Sequence, residues 1–181
     1  MRKLILLASL FAFSCTDDTQ IVEPSKKYKL SIDSVLTQDG KRSLPKDKNG
    51  FYHLVLLPSP KQQLYRVTGK VLVDGYEPIA PQKISWESNL FWYIKAGDVV
   101  TYVTKTYLNY YTGQYTIVEL PPIISQQNDI VPTINGSSYS GKNGVVNTII
   151  APVGQMKGDT LIIKASNYEN KLNASTKVVL E

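Results

Sequence analysis

From Tyr28 onward, apolar and polar residues alternate in short runs that break at turn-forming residues. Between positions 65 and 73, Tyr65, Val67, Gly69, Val71 and Val73 share one parity, while Thr68, Lys70 and Asp74 hold much of the other. A period of two places successive side chains on opposite faces of a strand. The same reading predicts strands over Tyr28–Leu36, with Tyr28, Leu30 and Ile32 on one side, over Phe51–Leu57, and over Lys83–Ser88, with Ile84 and Trp86 together. It continues with Val99–Leu108, Gln114–Leu120, Gly144–Ile150, Thr160–Ala165 and Thr176–Leu180. Asp39-Gly40, Asp47-Lys48-Asn49-Gly50, Asp74-Gly75, Gly97-Asp98, Thr112-Gly113, Pro121-Pro122, Asn135-Gly136, Asn143-Gly144 and Gly158-Asp159 supply the turns between them. No helical period lasts beyond two turns.

About nine or ten short strands with regular punctuation predict an all-β fold, a β-sandwich or Greek-key barrel. Richness in tyrosine and β-branched residues agrees. Trp86, in mid-strand, resembles the buried tryptophan of immunoglobulin-like domains, although the cysteine pair of that family is absent. The resemblance covers architecture and implies an Ig-like sandwich. A break between two smaller domains would fall at Pro58–Gln63 or Pro121–Ile130. One domain is the better expectation, because either piece would be small for a core without disulfides.

The first residues carry a different pattern. Arg2 and Lys3 precede an apolar run, Leu4–Phe13, of roughly ten residues, the length of a signal-peptide core and too short to span a bilayer. Ser14 and then Cys15, the chain's one cysteine, follow. Ala12-Phe13-Ser14-Cys15 resembles the lipobox of bacterial lipoproteins, in the looser form of Bacteroidota, with Phe13 where a small residue is usual. Thr16-Asp17-Asp18 resembles the acidic export tag of lipoproteins displayed on the outer membrane. The resemblance implies a signal peptide over 1–14, lipidation at Cys15, a flexible tether over 15–26 and a β-sandwich domain over 27–181. It also implies an outer-membrane location, lipid-anchored and facing the cell surface. Two or three acyl chains make a durable anchor, since each buried methylene contributes about 0.8 kcal/mol.

Composition narrows the function classes. With 43% hydrophobic and 19% charged residues the chain can bury a core. The net charge of +5 includes Arg2 and Lys3, and no stripe of Lys and Arg forms a nucleic-acid footprint. Lys26-Lys27, the densest basic pair, belongs to the tether. His53 is the only histidine, no serine sits in a Gly-x-Ser-x-Gly elbow, and a lipidated cysteine is no nucleophile. One histidine cannot build a zinc site. Glu87 and Glu119 are the best carboxylate pair for glycoside hydrolysis, but each alternates with an inward residue and reads as solvent-facing. Asp47 and Asn49 read as a hairpin turn rather than a calcium loop. Phosphate-binding glycine motifs are absent. The expectation is a non-enzymatic protein with no cofactor and no metal.

The remaining signal is a band of aromatics. Trp86, Phe91, Trp92, Tyr93, Tyr102, Tyr107, Tyr110, Tyr111 and Tyr115 make up half of the chain's Phe, Trp and Tyr. Filling the core and pairing across strands accounts for many of these rings. Asn109-Tyr110-Tyr111-Thr112-Gly113 reads as a hairpin tip, and tips seldom point inward. Trp92, Tyr107, Tyr110, Tyr111 and Tyr115 are therefore the candidate contacts for a partner or a glycan. Three functions compete. The first is binding of a protein partner, as an accessory subunit of an outer-membrane complex, with Leu57–Gln63 and Pro121–Pro132 as further contact loops. The second is a polysaccharide-binding module, with Asn109, Gln114 and Asp98 flanking the rings. The third is a structural or adhesive component that uses exposed strand edges.

Overall fold

A computed structural model describes residues 26–37, 39–58, 63–76, 78, 81–100, 105–108, 115–118, 121–134, 136–141 and 143–181. The described residues form fourteen strands and one 3-10 turn. The strands are β1 (Tyr28–Thr37), β2 (Tyr52–Leu54), β3 (Tyr65–Val73), β4 (Lys83–Ser88), β5 (Phe91–Ile94), β6 (Val99–Val100) and β7 (Lys105–Leu108). They continue with β8 (Tyr115–Val118), β9 (Ile123–Ile124), β10 (Asp129–Pro132), β11 (Ser137–Tyr139), β12 (Val145–Ile150), β13 (Thr160–Asn167) and β14 (Leu172–Leu180). The 3-10 turn, Gly154–Met156, lies between β12 and β13.

Two sheets form a sandwich. One has the order β1-β3-β12, the other β11-β4-β13-β14-β2. All pairs are antiparallel except β2 with β14. β1 faces β13 and β14 across the core. The first sheet contributes Val35, Val67, Val71, Val146 and Ile150 to the interior, and the second contributes Tyr52, Ile84, Trp86, Leu161, Ile163, Val178 and Leu180. These are the inward positions of alternating strands, so burying them drives the two sheets together. Trp86 is 3% exposed, and its indole N–H donates to Ser138 Oγ at 2.8 Å.

β3 and β4 keep the bounds that alternation predicts. β1 departs from its pattern. Its register with β3 shifts between Ile32 and Ser34, a bulge that changes the inward parity, so Leu30 is buried before it and Val35 after it. Gly69 sits opposite this region, and a Cβ there would lie 2.2 Å from the Ser31 carbonyl oxygen. Only glycine lets β1 and β3 approach so closely.

The remaining strands lie outside both sheets. β5 pairs with β10, β6 with β9 and β7 with β8, all antiparallel. The pairs nest on one register. Phe91 meets Pro132, Ile94 meets Asp129, Val99 meets Ile124, Val100 meets Ile123, Lys105 meets Val118 and Leu108 meets Tyr115. Among these described rungs, each step forward on one limb matches an equal step back on the other. The break between the first two pairs is built from matched segments, 95–98 and 125–128. Gly97 N–H donates to Ser125 O and Ser125 N–H to Asp98 O, both at 2.9 Å. Ala96 N–H donates to Asn128 Oδ1 at 3.0 Å, and Gly97 has φ +92, open to glycine alone.

Pro121–Pro132, expected to be a loop, therefore carries β9 and β10. Its prolines sit in or beside edge strands, where a missing N–H costs no ladder bond. The strand expected over Phe51–Leu57 shrinks to Tyr52–Leu54, because only this stretch runs beside β14. The last strand begins at Leu172, before Thr176, since Leu172–Ser175 pairs with Lys164–Asn167.

Registers also fix where the chain enters and where the ribbon leaves. Tyr28 at the start of β1 pairs with Val73, and Thr37 at its end pairs with Tyr65, which pairs with Ile150. Ile150 bridges to Ile134, just after β10, and its chain continues through the 3-10 turn to the start of β13. The start of β1 and the root of the ribbon thus occupy opposite poles of the sandwich.

Candidate functional site

Along β5 and β6 burial alternates, while Ile123, opposite buried Val100, is itself 51% exposed. Trp92, Ile94 and Val100 point inward, at 6%, 4% and 1% exposure. Their odd-numbered neighbours point out: Phe91 is 43% exposed, Tyr93 66% and Val99 53%. Directly opposite residues of an antiparallel pair share a face. Ile130, opposite Tyr93, is 59% exposed, and Ile124, opposite Val99, is 62% exposed. Two apolar rungs, Tyr93–Ile130 and Val99–Ile124, thus stand in solvent on the ribbon rooted at the pole away from the start of β1.

This arrangement corrects one expected contact. Trp92 is an interior ring of the ribbon root, only 6% exposed, because its parity is the inward one. Tyr107 and Tyr115 lie one rung apart, Tyr107 opposite Thr116 and Tyr115 opposite Leu108. Cys15, Thr16, Asp17, Asp18, Tyr110 and Tyr111 lie outside the described residues, as do Glu119 and the 59–62 stretch of the expected loop at Leu57–Gln63. Sequence reasoning missed Phe91, Tyr93, Ile124 and Ile130 as outward residues. The signal is the pair of apolar runs Ile123-Ile124 and Ile130-Val131 inside a segment expected to be a loop.

A cleft of about 390 Å³ runs beside β5. Phe91, Trp92 and Tyr93 line one side, and Gln155, Met156 and Asp159 line the other. It opens where the β4–β13 ladder ends. There the side chain of Asn89 takes the place of a strand residue, donating from Nδ2 to Thr160 O at 3.0 Å and accepting from Ile162 N–H at 2.6 Å. Past Asn89, among the described residues, β5 pairs with β10 and no longer with β13.

The chemistry-bearing side chains lie elsewhere. His53 on β2 donates from Nδ1 to Glu181 Oε1 at 2.6 Å, and its Nε2 faces Asp47 Oδ2 at 3.5 Å, beyond hydrogen-bond geometry. The Glu181 carboxylate, aided by Asp47 and opposed by desolvation, raises the His53 pKa above its ordinary 6.5. The Phe51 N–H, with the Asn49 N–H and His53, lowers that of Asp47. Lys46 lies over the Tyr52 ring at 4.4 Å and Lys177 over Phe51 at 4.9 Å, completing a charged border on this edge. The two carboxylates approach opposite ring nitrogens, so the three groups share no common point for a metal. Among the described residues no set of three metal-ligating side chains converges. The trio works as a strap that ties short β2 and the 47–50 turn to the end of β14. Glu87 is exposed and accepts the Tyr168 hydroxyl at 3.4 Å.

Among known protein families no match to the chain is found, and no curated protein matches it.

Proposed function

We propose that the chain is a non-enzymatic lipoprotein of the outer membrane, anchored through Cys15 and facing the cell surface, that binds a protein partner. Its role is that of an accessory subunit of an outer-membrane complex. An immunoglobulin-like arrangement of the sandwich belongs to this reading, with Trp86 buried in mid-strand in its support. One observation carries the proposal: the apolar rungs Tyr93–Ile130 and Val99–Ile124 are exposed on a ribbon at the pole opposite the tether. Aromatic and aliphatic side chains grouped on an exposed face are the usual core of a protein interface, whereas isolated ones are ordinary surface. An anchor at one pole and a contact face at the other suit a protein that holds something beyond the lipid surface.

A photo-cross-linking residue at Tyr93 or Ile130, in the membrane-bound protein, tests the reading. The expected result is one discrete adduct from both ribbon positions and none from Lys29, an exposed control on β1 near the tether pole. Equal labelling from all three sites, or none at all, would sink it. Phe91 and Tyr93, side by side near Gln155 and Asp159, favour a saccharide ligand as the second reading. Absence of a protein adduct together with binding to a glycan array would select it.

A further inference from the structure

The pole where β1 begins carries a different surface from the ribbon. The described residues start at Lys26, and Lys26, Lys27 and Lys29 are all exposed. Lys27 is fastened to the turn after β3. Asp74 N–H donates to Lys27 O at 2.7 Å, and Lys27 N–H donates to Asp74 Oδ1 at 2.8 Å. Asp74 and Gly75 have φ +54 and +84, the sign that a two-residue type I′ turn needs at both places. Val73 and Tyr76 exchange both backbone bonds around it, at 2.7 and 2.9 Å. Tyr76 is therefore held at the tip. At 78% exposure it is the most exposed large apolar or aromatic side chain among the described residues.

Lys29 lies opposite Leu72, so the two share the outer face of the first sheet. A hollow of about 480 Å³ lies beside Leu72, lined also by Lys70, Gly75 and Tyr76. Three exposed ammonium groups, a firmly held tyrosine and a partly apolar hollow make an amphipathic surface. Asp74, the acidic side chain within it, already accepts the Lys27 N–H. The segment between Cys15 and this surface, 16–25, is ten residues long and reaches about 33–36 Å at full stretch. A tether of that reach brings this pole to the bilayer. By itself it does not fix which side of the sandwich faces the lipid.

We infer that this pole, through Lys26, Lys27, Lys29 and Tyr76, rests on the anionic headgroups of the membrane that holds the Cys15 lipid. The inference rests on the anchored reading and adds a second contact to the anchor. Ammonium groups are drawn to headgroup phosphates within about a Debye length, about 8 Å at physiological salt. A tyrosine ring settles at headgroup level with its hydroxyl in water. An acyl chain joined to a basic patch holds a protein more firmly than one chain alone. β3, nine residues at about 3.3 Å each, then sets the ribbon root about 30 Å from the lipid. The rungs Tyr93–Ile130 and Val99–Ile124 are carried away from the bilayer with it.

With Cys15 acylated, Tyr76→Cys gives the full chain a single thiol, which takes a nitrobenzoxadiazole label in the tyrosine's place. The acylated protein is reconstituted in phosphatidylcholine vesicles with or without about one-third phosphatidylglycerol. Acrylamide should quench the label severalfold less in the anionic vesicles than in the neutral ones. Salt at about 1 M, where the Debye length is about 3 Å, should remove the difference. Lys26→Gln, Lys27→Gln and Lys29→Gln together should lower the ratio of shielded to free label about a hundredfold, at about 1 kcal/mol per lysine. Tyr76→Trp, quenched by brominated phosphatidylglycerol, reads the same contact without a dye. Equal quenching of the label in both vesicles overturns the inference, as does shielding that salt leaves in place, or a Tyr76→Trp chain quenched no more than the unaltered one. Shielding in detergent, without vesicles, would make Asp17, Asp18 and Glu23 of the chain's own tether the occupant and overturn it too. An unshielded label on an acylated chain defeats the seat on the headgroups and leaves the anchor standing. A native chain whose N-terminal peptide carries no acyl mass defeats the anchored reading itself.

Discussion

The sandwich and the ribbon are both antiparallel β-structure, yet they spend their apolar residues in opposite ways. In the sandwich Val67, Val71, Ile84, Val146, Leu161 and Ile163 are all fully buried, and each strand has a neighbour sheet to cover its inner face. In the ribbon Trp92, Ile94 and Val100 are covered, but Phe91, Tyr93, Val99, Ile123, Ile124 and Ile130 are not. A two-stranded ribbon is marginal by itself in water. The ribbon root borrows order from the sandwich through Thr133, whose hydroxyl donates to Leu90 O at 2.9 Å and meets Ser88 Oγ at 2.7 Å. The lesson is that the same antiparallel pattern buries its large apolar side chains where a second sheet covers them and leaves them in solvent where none does.

Substitutions should separate the two. Trp86→Ala leaves a large void and an orphaned Ser138 hydroxyl, and should cost about 3–5 kcal/mol of unfolding free energy. Tyr93→Ala, with its ring in water, should cost less than about 0.5 kcal/mol while removing the ribbon's photo-adduct. Matched denaturant titrations check this pair, and equal losses would dissolve the distinction. Gly69→Ala forces a Cβ onto the Ser31 carbonyl, and should cost about 3 kcal/mol by prising β1 from β3. A melt within a degree of the unaltered protein would mean the bulge can move aside. Replacing 95–128 with Asn-Gly joins Ile94 to Asp129 by a two-residue hairpin turn. The sandwich should then keep its stability to within about 1 kcal/mol, and a larger loss would show that the distal ribbon supports it.

The smallest effect concerns the strap on the opposite sheet edge. The pKa of His53 is raised above its ordinary 6.5, so its contribution is full below that value and fades as pH rises through the folded-state pKa. Asp47, held below its ordinary 3.8, contributes above that value and loses its share as pH falls through its own lowered pKa. The unaltered protein should therefore melt above His53→Gln near pH 5.5, with the gap closing toward pH 9. A gap independent of pH would mean that the imidazole acts by packing alone.

The amino-acid pattern made the sandwich legible and the ribbon only half so. β3 and β4 are bounded as alternation predicts, because each has one clean apolar parity and glycine or proline nearby. β1 was right in extent and wrong in facing after Ile32, since a bulge leaves no mark in a run of mixed residues. In the ribbon both faces carry large apolar side chains, so parity gave no inside and no outside. Trp92 and Tyr93 are equally aromatic, and only the place of β5 beside the ribbon root decides which one is buried. β9 and β10 were hidden by Pro121, Pro122 and Pro132, which edge strands accept. The cleft was invisible in sequence because its two sides, Phe91–Tyr93 and Gln155–Asp159, come from segments far apart in the chain.

The shared register of the ribbon's limbs has a consequence for how its length can vary. One residue inserted in a single limb would turn every more distal side chain of that limb to the other face, exchanging Val99 or Ile124 for a neighbour. Equal insertions at facing points, two residues on each limb, would preserve every outward position and lengthen the ribbon by about 7 Å. The joint at 95–98 and 125–128 already has this form, four residues against four. Changes of reach are thus confined to paired, even steps, a constraint visible as compensating gaps wherever two such chains of different length are aligned.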